Sequence, residues 1–218
     1  MINTSLSLNA LQASLITIYA NQEINFKVQV EESTNQKFKR WLTNFLNFEG
    51  FYKSYSLSQK QLDSLKTVIN LCQQHNIKYY IFISPTHVTQ YEAIDRAGLW
   101  STFEQWKREV ANITPIWDFS GYNSVTTEAI SESMTNYIDN SHYSKYTGKL
   151  VLNKMFNYEA DVIPQDFGIL LNLNNLESHL NEIKLNREKW RKSNFQEFEL
   201  VKKVQAHVEQ ANKDVISQ

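Results

Sequence analysis

Asp139 and His142 stand three residues apart in the segment YIDNSHY (137–143), which is small, polar and turn-like. At this spacing a carboxylate and an imidazole can contact each other or converge on one serine. In acyl transfer from a serine, the imidazole accepts the hydroxyl proton and the carboxylate holds its tautomer. The spacing also fits a surface turn or a helix N-cap, so the elements around the pair must decide.

Two apolar segments precede this pair and end in polar loops. The run IKYYIFIS (77–84) has the length and continuous apolar character of a parallel strand buried on both faces. The run TPIWDF (114–119) is a second short strand, followed by SGYN. Ligands of parallel sheets lie beyond the carboxyl ends of the strands, which predicts a site near SPTH and DFSGYN.

Helical patterns alternate with these strands. The helix after Leu57 has a capping box at Ser58 and Gln61, and a later one has the same pattern at Ser101 and Glu104. The other predicted elements are a helix at about 8–20, an alternating strand at 24–30, a short helix at 38–46 and a closing helix with Leu150, Leu152 and Phe156 as its buried positions. The alternation predicts an α/β fold with a parallel sheet and right-handed crossovers.

The tail from about residue 172 differs, because two amphipathic helical patterns follow each other without a strand. Leu176, Leu180, Ile183 and Trp190 line the first, and Phe198, Val201, Val204 and Val208 line the second, which Ser193 and Gln196 would cap. A basic run at 184–192 between acidic residues is typical of a solvated face. We therefore expect three regions: a helical or hairpin segment (1–57), the α/β part (58–160) and a helical extension (161–218).

The composition excludes several classes of protein. With 218 residues, 42% hydrophobic and 13% aromatic, the chain can bury a sizeable core. Five glycines and three prolines are too few for a turn-dense β-sandwich, and the net charge of −1 gives no basis for nucleic acid or an anionic membrane as the main partner. No stretch approaches the ~20 apolar residues of a membrane span, and with Cys72 alone no internal disulfide can form.

The order of these elements, IKYYIFISPTH, then IWDFSGYN, then DNSHY and a closing helix, resembles the C-terminal half of SGNH (GDSL-type) hydrolases over about residues 60–160. More narrowly, it looks like the bacterial membrane-associated branch that includes D-alanyl-transfer and alginate O-acetylation proteins. The resemblance implies a partial flavodoxin-like sheet, with Asp139 and His142 as the Asp and His of a triad. It also implies that the loop carrying Ser84, Thr86 and His87 lines the substrate pocket.

The resemblance stops at the nucleophile. The chain contains no G-D-S, no G-x-S-x-G and no G-x-N-D segment, and the first three strands of the family's sheet have no counterpart. We therefore expect a C-terminal portion that is inactive alone. Ser84 ends a strand but is followed by PTH, which predicts no helix start and hence no row of backbone N–H groups. The same objection applies to Ser120 and Ser124.

Other interpretations stay open from the sequence. His87, Asp139 and His142 could converge as two histidines and one carboxylate on a metal, although no cofactor or metal is the leading expectation. The chain could also be a non-catalytic interaction module that presents the C-terminal helices to a protein partner, or an incomplete product that folds poorly. The resemblance implies an acyl-ester or acylated carbohydrate substrate and, for relatives, a membrane anchor facing outward; the compartment of this chain stays open.

Overall fold

A computed structural model describes residues 32–47 and 50–216 of the chain, with side chains described as far as residue 213. The predicted helix at 8–20 and strand at 24–30 lie outside the described residues. The chain divides into the units Met1–Ser33 and Thr34–Gln218, and all helices and strands that the structure describes belong to the second. The predicted region boundaries after residues 57 and 160 both lie inside that second unit.

The described part of the chain is predominantly helical. Its helices are α1 (Thr34–Leu46), α2 (Gln59–Gln74), α3 (Val88–Arg96), α4 (Trp100–Ile113), α5 (Lys145–Phe156), α6 (Leu176–Ser193) and α7 (Phe195–Ile216), with a 3₁₀ turn at Ala160–Val162. Three short strands complete it: β1 (Phe82–Ile83), β2 (Ile116–Asp118) and β3 (Ile169–Leu171).

The three strands form one small mixed sheet in the order β1-β2-β3. β1 and β2 are parallel, with Ile83 opposite Asp118. β3 runs antiparallel to β2, with Ile169 opposite Asp118. The predicted α/β character and the parallel pair are therefore confirmed, whereas the antiparallel strand inside the predicted helical extension was missed.

Helices cover both faces of this sheet, as an α/β core requires. On one face Leu62 of α2, Val110 of α4 and Leu180 of α6 pack with Ile83 and Ile116. The residues that pack on the opposite face are Phe119, Val125, Leu150, Val151 and Phe167, with Phe82 and Trp117 against them. The core is thus shared by the middle of the chain and by its C-terminal third.

Of the two predicted helix capping boxes, one is confirmed and the other was wrong. Ser58 caps α2 as predicted, accepting the Gln61 N–H at 3.4 Å. The capping box predicted at Ser101 was wrong: α4 begins at Trp100, whose indole N–H donates to Glu104 at 2.7 Å.

The apolar run 77–84 was expected to be buried on both faces, but only residues 82–83 form the strand and Tyr80 is 56% exposed. Ile81 accepts the Trp117 N–H at 3.1 Å and is partly buried against the core, so the paired and covered stretch is shorter than the apolar run.

The closing helix α5 forms where predicted, with Ser144 as its N-cap. Leu150 is buried as expected, but Leu152 and Phe156 are 53% and 52% exposed, so those two core assignments were wrong. Only the helix face that carries Leu150 packs on the sheet. Leu152 and Phe156 lie outside that face and remain exposed.

The C-terminal helices fold back over the α/β part. Leu176, Leu180, Ile183 and Trp190 are buried on α6, and Val201, Val204 and Val208 are buried on α7, as predicted. α7 packs on α1 and α3, and its valines join Leu42 and Phe45 of α1 in one cluster. The apolar stripe expected to meet a protein partner is therefore covered by the chain itself.

The basic run at 184–192 is only partly the solvated face that the sequence indicates. Arg187 is 9% exposed and donates to Asp95 at 2.8 Å. Arg191 pairs with the buried Glu92 at 2.7 Å and with Asp95. Lys184 and Lys189 are exposed. The two arginines thus link α6 to α3.

Candidate functional site

The turn that carries Asp139 and His142 is closed by its own backbone and by the aspartate. Tyr137 and Tyr143 form an isolated antiparallel bridge, and the Ile138 N–H donates to the His142 carbonyl at 2.8 Å. Asp139 Oδ1 accepts the backbone N–H groups of Ser141 at 2.8 Å and His142 at 3.0 Å. This is the Asx-turn geometry that short Asp side chains favour.

The same carboxylate holds the imidazole. His142 Nδ1 lies 2.9 Å from both Oδ1 and Oδ2 of Asp139. The Asp139 side chain is only 10% exposed, whereas that of His142 is 59% exposed. Because an ionised carboxylate only accepts hydrogen bonds, the proton must sit on Nδ1, which leaves the Nε2 lone pair of a neutral ring for a substrate or water.

Helix α1 contributes a residue to this site. Its buried face carries Phe38, Leu42 and Phe45 at helical spacing. Trp41 lies beside that face, with its ring centroid 5.7 Å from that of His142 and the rings tilted by 57°. Trp41 therefore restricts the orientation of the exposed imidazole from the side.

The loop after β1 packs directly on this turn. The His87 N–H donates to the Asn140 carbonyl at 2.9 Å, and the Tyr137 hydroxyl donates to the Pro85 carbonyl at 3.0 Å. The Asn140 amide donates to Thr89 Oγ1 at 2.7 Å. The structure thus brings the SPTH loop and the DNSH turn together, at the carboxyl end of β1.

Of the three loop residues expected to bind substrate, His87 is engaged within the protein. It is fully buried, its Nε2 lies 2.7 Å from the Glu128 carbonyl, and its Nδ1 lies 2.9 Å from Thr89 Oγ1. It also caps α3, with Nδ1 accepting the Thr89 N–H. Burial lowers the pKa of His87 from 6.5 to about 4, so the ring is neutral near pH 7.

Thr86 and Asn140 each carry a polar atom without a partner among the described residues. Thr86 Oγ1 and Asn140 Oδ1 are both buried and unpaired. They belong to the two segments that meet beside the Asp–His pair. Buried polar atoms without partners are rare in folded proteins and call for an explanation, such as a water or a bound group.

Ser84 is exposed at the end of β1, and a helix does start close behind it, at Val88. The expectation of no helix start was wrong, yet the backbone N–H groups of that turn are occupied. The Thr86 N–H donates to the Ser84 carbonyl, and the Val88 N–H donates to the Thr126 carbonyl at 2.8 Å. The N–H groups of Thr86, His87, Val88, Thr89 and Gln90 all have protein acceptors. They are therefore not arranged to hold an oxyanion near Ser84.

The two other serines are held by carboxylates. Ser120 Oγ donates to Asp118 Oδ1 at 2.6 Å and is 4% exposed. Ser124 Oγ donates to Asp166 at 2.6 Å on the surface. Neither hydroxyl is paired with an imidazole. A metal held by His87, Asp139 and His142 is disfavoured because both nitrogens of His87 are hydrogen-bonded, and the described residues contain no group of three or more metal-type ligands.

Sequence reasoning missed Trp41 and Tyr137 as neighbours of the pair. Trp41 lies within the short helix predicted at 38–46, and its ring stacks on Phe45. The signal for its second role is its spacing, because Trp41 is three residues from Phe38 and four from Phe45 and so lies at the edge of that buried face. Tyr137, 4% exposed, links the turn to Pro85, which no pattern within either segment indicates.

Comparison with family models, with curated proteins and with solved structures finds no match to this chain. Within the ranges that the structure describes, no helix has both the length and the apolar character needed to cross a bilayer.

Proposed function

We propose that this chain is the C-terminal portion of an SGNH-type acyl-ester hydrolase or O-acyltransferase and supplies its acid–base pair. The observation that carries the proposal is the hydrogen bonding of His142 Nδ1 to both carboxylate oxygens of Asp139, each at 2.9 Å, while most of the imidazole is exposed. By the family resemblance, the substrate is an acylated molecule, a cell-surface polysaccharide being the favoured class.

In this function Nε2 of His142 takes the proton of the attacking hydroxyl and returns it to the leaving group. Asp139 holds the tautomer and stabilises the imidazolium that forms. Its own position is fixed by the two backbone N–H groups of the turn. The carboxylate therefore has no freedom to turn away from the ring, which favours catalysis through pre-organisation.

The nucleophile belongs, in this proposal, to a segment that joins the sheet at the edge of β1 that faces away from β2. Among the described strands β1 pairs only with β2. An apolar patch lies beside the start of β1, where Tyr80 and Phe156 are 56% and 52% exposed and their ring centroids are 4.8 Å apart. Unpaired strand edges and exposed apolar groups of this kind favour further strand pairing. The flavodoxin-like arrangement of the sheet, which is more specific than its mixed α/β character, is part of the same proposal.

Cleavage of p-nitrophenyl acetate by the purified chain, with labelling by a fluorophosphonate, tests the proposal. Because this proposal places the nucleophile outside these residues, we expect no enzymatic turnover and no labelled serine, and only the slow cleavage above the buffer rate that an accessible imidazole base promotes. His142→Ala should abolish the excess rate, because general-base catalysis contributes about 10²–10⁴-fold. Asp139→Asn should lower the rate by about tenfold or more, since loss of the carboxylate can cost up to about 10⁴.

His75→Ala is the matched control, because His75 is exposed at the end of α2 and far in sequence from the turn. If His142→Ala cleaves the ester as fast as the wild type does, the acid–base assignment is wrong. If the fluorophosphonate labels Ser84, the nucleophile lies within these residues and the partial-site proposal fails, while the role of His142 survives.

A further inference from the structure

A polar cavity of about 230 Å³ lies at the carboxyl end of β2, outside the Asp139 turn. Because β3 is antiparallel to β2, its first residues lie beside Asp118 and form one wall with Gly168. Helix α6 forms the opposite wall with His179 and Glu182. None of the lining residues belongs to the site described above, so the inference does not rest on the proposed function.

The base of this cavity is a buried charged network. Lys107 Nζ lies 2.7 Å from Asp118 Oδ2 and 2.7 Å from Ser120 Oγ. Asp118 Oδ1 accepts the Ser120 N–H at 2.9 Å and its hydroxyl at 2.6 Å. The side chains of Lys107 and Asp118 are both 0% exposed. An apolar pair of similar volume often stabilises a fold as well as a buried ion pair does. A buried ion pair beneath a cavity is therefore a candidate for a functional role.

The network orients a histidine that lines the cavity. His179 Nε2 lies 3.0 Å from Asp118 Oδ2, and its side chain is 12% exposed. Burial alone would raise the pKa of Asp118, but the charge of Lys107 and the hydrogen bond of His179 lower it well below its usual range. The ionised carboxylate only accepts, so Nε2 carries the proton and Nδ1 of the neutral ring is an acceptor.

The outer wall of the cavity is acidic and rich in amides. Asp166 and Glu182 supply carboxylates, and Gln165 and Asn186 supply amides, while no lysine or arginine is among the lining residues that the structure describes. The Asp166 carboxylate accepts the Ser124 N–H at 2.8 Å and also the Ser124 hydroxyl. Such a wall repels anions and favours ligands that donate hydrogen bonds or carry positive charge. The volume is below the roughly 300–1,000 Å³ of drug-sized pockets and suits a single sugar ring.

We propose that this cavity is a binding site for a small hydroxylated amine, of the size and chemistry of an amino sugar. A ligand hydroxyl donates to Nδ1 of His179, which Asp118 and Lys107 hold in place from beneath. The ammonium group faces Glu182 and Asp166. His179 is the residue that determines binding, and Glu182 selects the cationic ligand over the neutral one.

A titration of the full chain followed by amide NMR shifts tests this site, with D-glucosamine, D-glucose and D-glucuronate as probes. We expect saturable shifts at Gly168 and Ile169 with glucosamine, weaker shifts with glucose and none with glucuronate. His179→Gln should weaken glucosamine binding by about tenfold, the effect of one lost hydrogen bond. Glu182→Gln, a change at an exposed residue, should lower the affinity for glucosamine toward that for glucose, with Asp166 left as the second carboxylate.

His207→Gln is the control, because His207 is exposed on α7, and it should leave all three titrations unchanged. The proposal is overturned if none of the sugars shifts Gly168 and Ile169 in a saturable way. It is also overturned if glucuronate binds as tightly as glucosamine, or if both His179→Gln and Glu182→Gln bind glucosamine like the wild type while keeping a dispersed amide spectrum.

Discussion

At the scale of single residues, the five histidines of the chain show how environment decides what an imidazole does. His142 is exposed and tied to Asp139 through one nitrogen, so the other nitrogen is left for a proton. His179 is paired with a buried carboxylate and lines a cavity. His87 is fully buried with both nitrogens engaged, and it serves as a helix cap. The sequence alone presents all three as the same side chain.

The burial of His87 predicts a loss of stability in mild acid. Its folded pKa of about 4 lies below the ordinary 6.5, so between these values the unfolded chain takes up a proton that the folded chain does not. Stability is therefore full above about pH 6.5 and falls as the pH is lowered toward 4. We expect this residue to cost about 2–3 kcal/mol of unfolding free energy between about pH 7 and pH 4.5.

Urea unfolding of His87→Asn at both pH values measures the effect, since asparagine can still cap α3 but does not titrate. The variant should lose less stability on acidification than the wild type does. His75→Asn, at an exposed position, should follow the wild type. If the wild type and His87→Asn lose the same unfolding free energy between the two pH values, the assignment of this acid sensitivity to His87 is wrong.

At the scale of elements, α5 shows that burial follows the helical period. Leu150 and Leu152 are two residues apart and therefore lie on nearly opposite faces of the helix, and Leu150 is 2% exposed whereas Leu152 is 53% exposed. Leu150 packs with Phe119 and Phe167. The helix follows the Asp139 turn, so its seating on the sheet also fixes where that turn lies. Its two leucines therefore give a matched pair of substitutions.

Leu150→Ala should lower the free energy of unfolding by about 2–5 kcal/mol, because it leaves a cavity in a packed cluster. Leu152→Ala removes the same atoms from an exposed position and should change it by less than about 0.5 kcal/mol. Chemical denaturation with constant m-values measures both. Equal losses for the two variants would mean that α5 does not seat on the sheet through Leu150.

At the scale of the whole molecule, the C-terminal helices are joined to the α/β part by charge as well as by apolar packing. Arg191 of α6 donates to both oxygens of Glu92 on α3, and Glu92 is fully buried. The Tyr122 hydroxyl donates to the same carboxylate at 2.7 Å. This contact spans about half the chain in sequence and makes the tail part of the unit Thr34–Gln218.

Arg191→Met should therefore destabilise the fold by about 3–5 kcal/mol, because it leaves the buried carboxylate of Glu92 without its cation. Lys189→Met, at an exposed position in the same basic run, should have an effect below about 0.5 kcal/mol. Adding Glu92→Gln to Arg191→Met should recover part of the loss. If the two single variants unfold alike, the arginine does not hold the tail to α3.

The sequence by itself determined the local features of this protein, because caps, apolar periodicity and turn chemistry act between residues close in the chain. Such short-range rules account for three features: Ser58 as a cap, the buried faces of α6 and α7, and the Asp139–His142 turn. The local signals also failed at two helix starts. They misplaced the Ser101 cap and missed the helix that His87 begins.

Only the tertiary structure decided which of these features meet. It paired β3 antiparallel to β2 and brought the loop after β1 onto the Asp139 turn. It also placed Lys107 and His179, from two helices, on one carboxylate. Lys107 lies on the apolar face with Phe103 and Val110, which in the sequence is a misplaced charge and in the structure is half of an ion pair. Burial and pairing are properties of the packed chain, since they depend on residues that no local pattern can bring together.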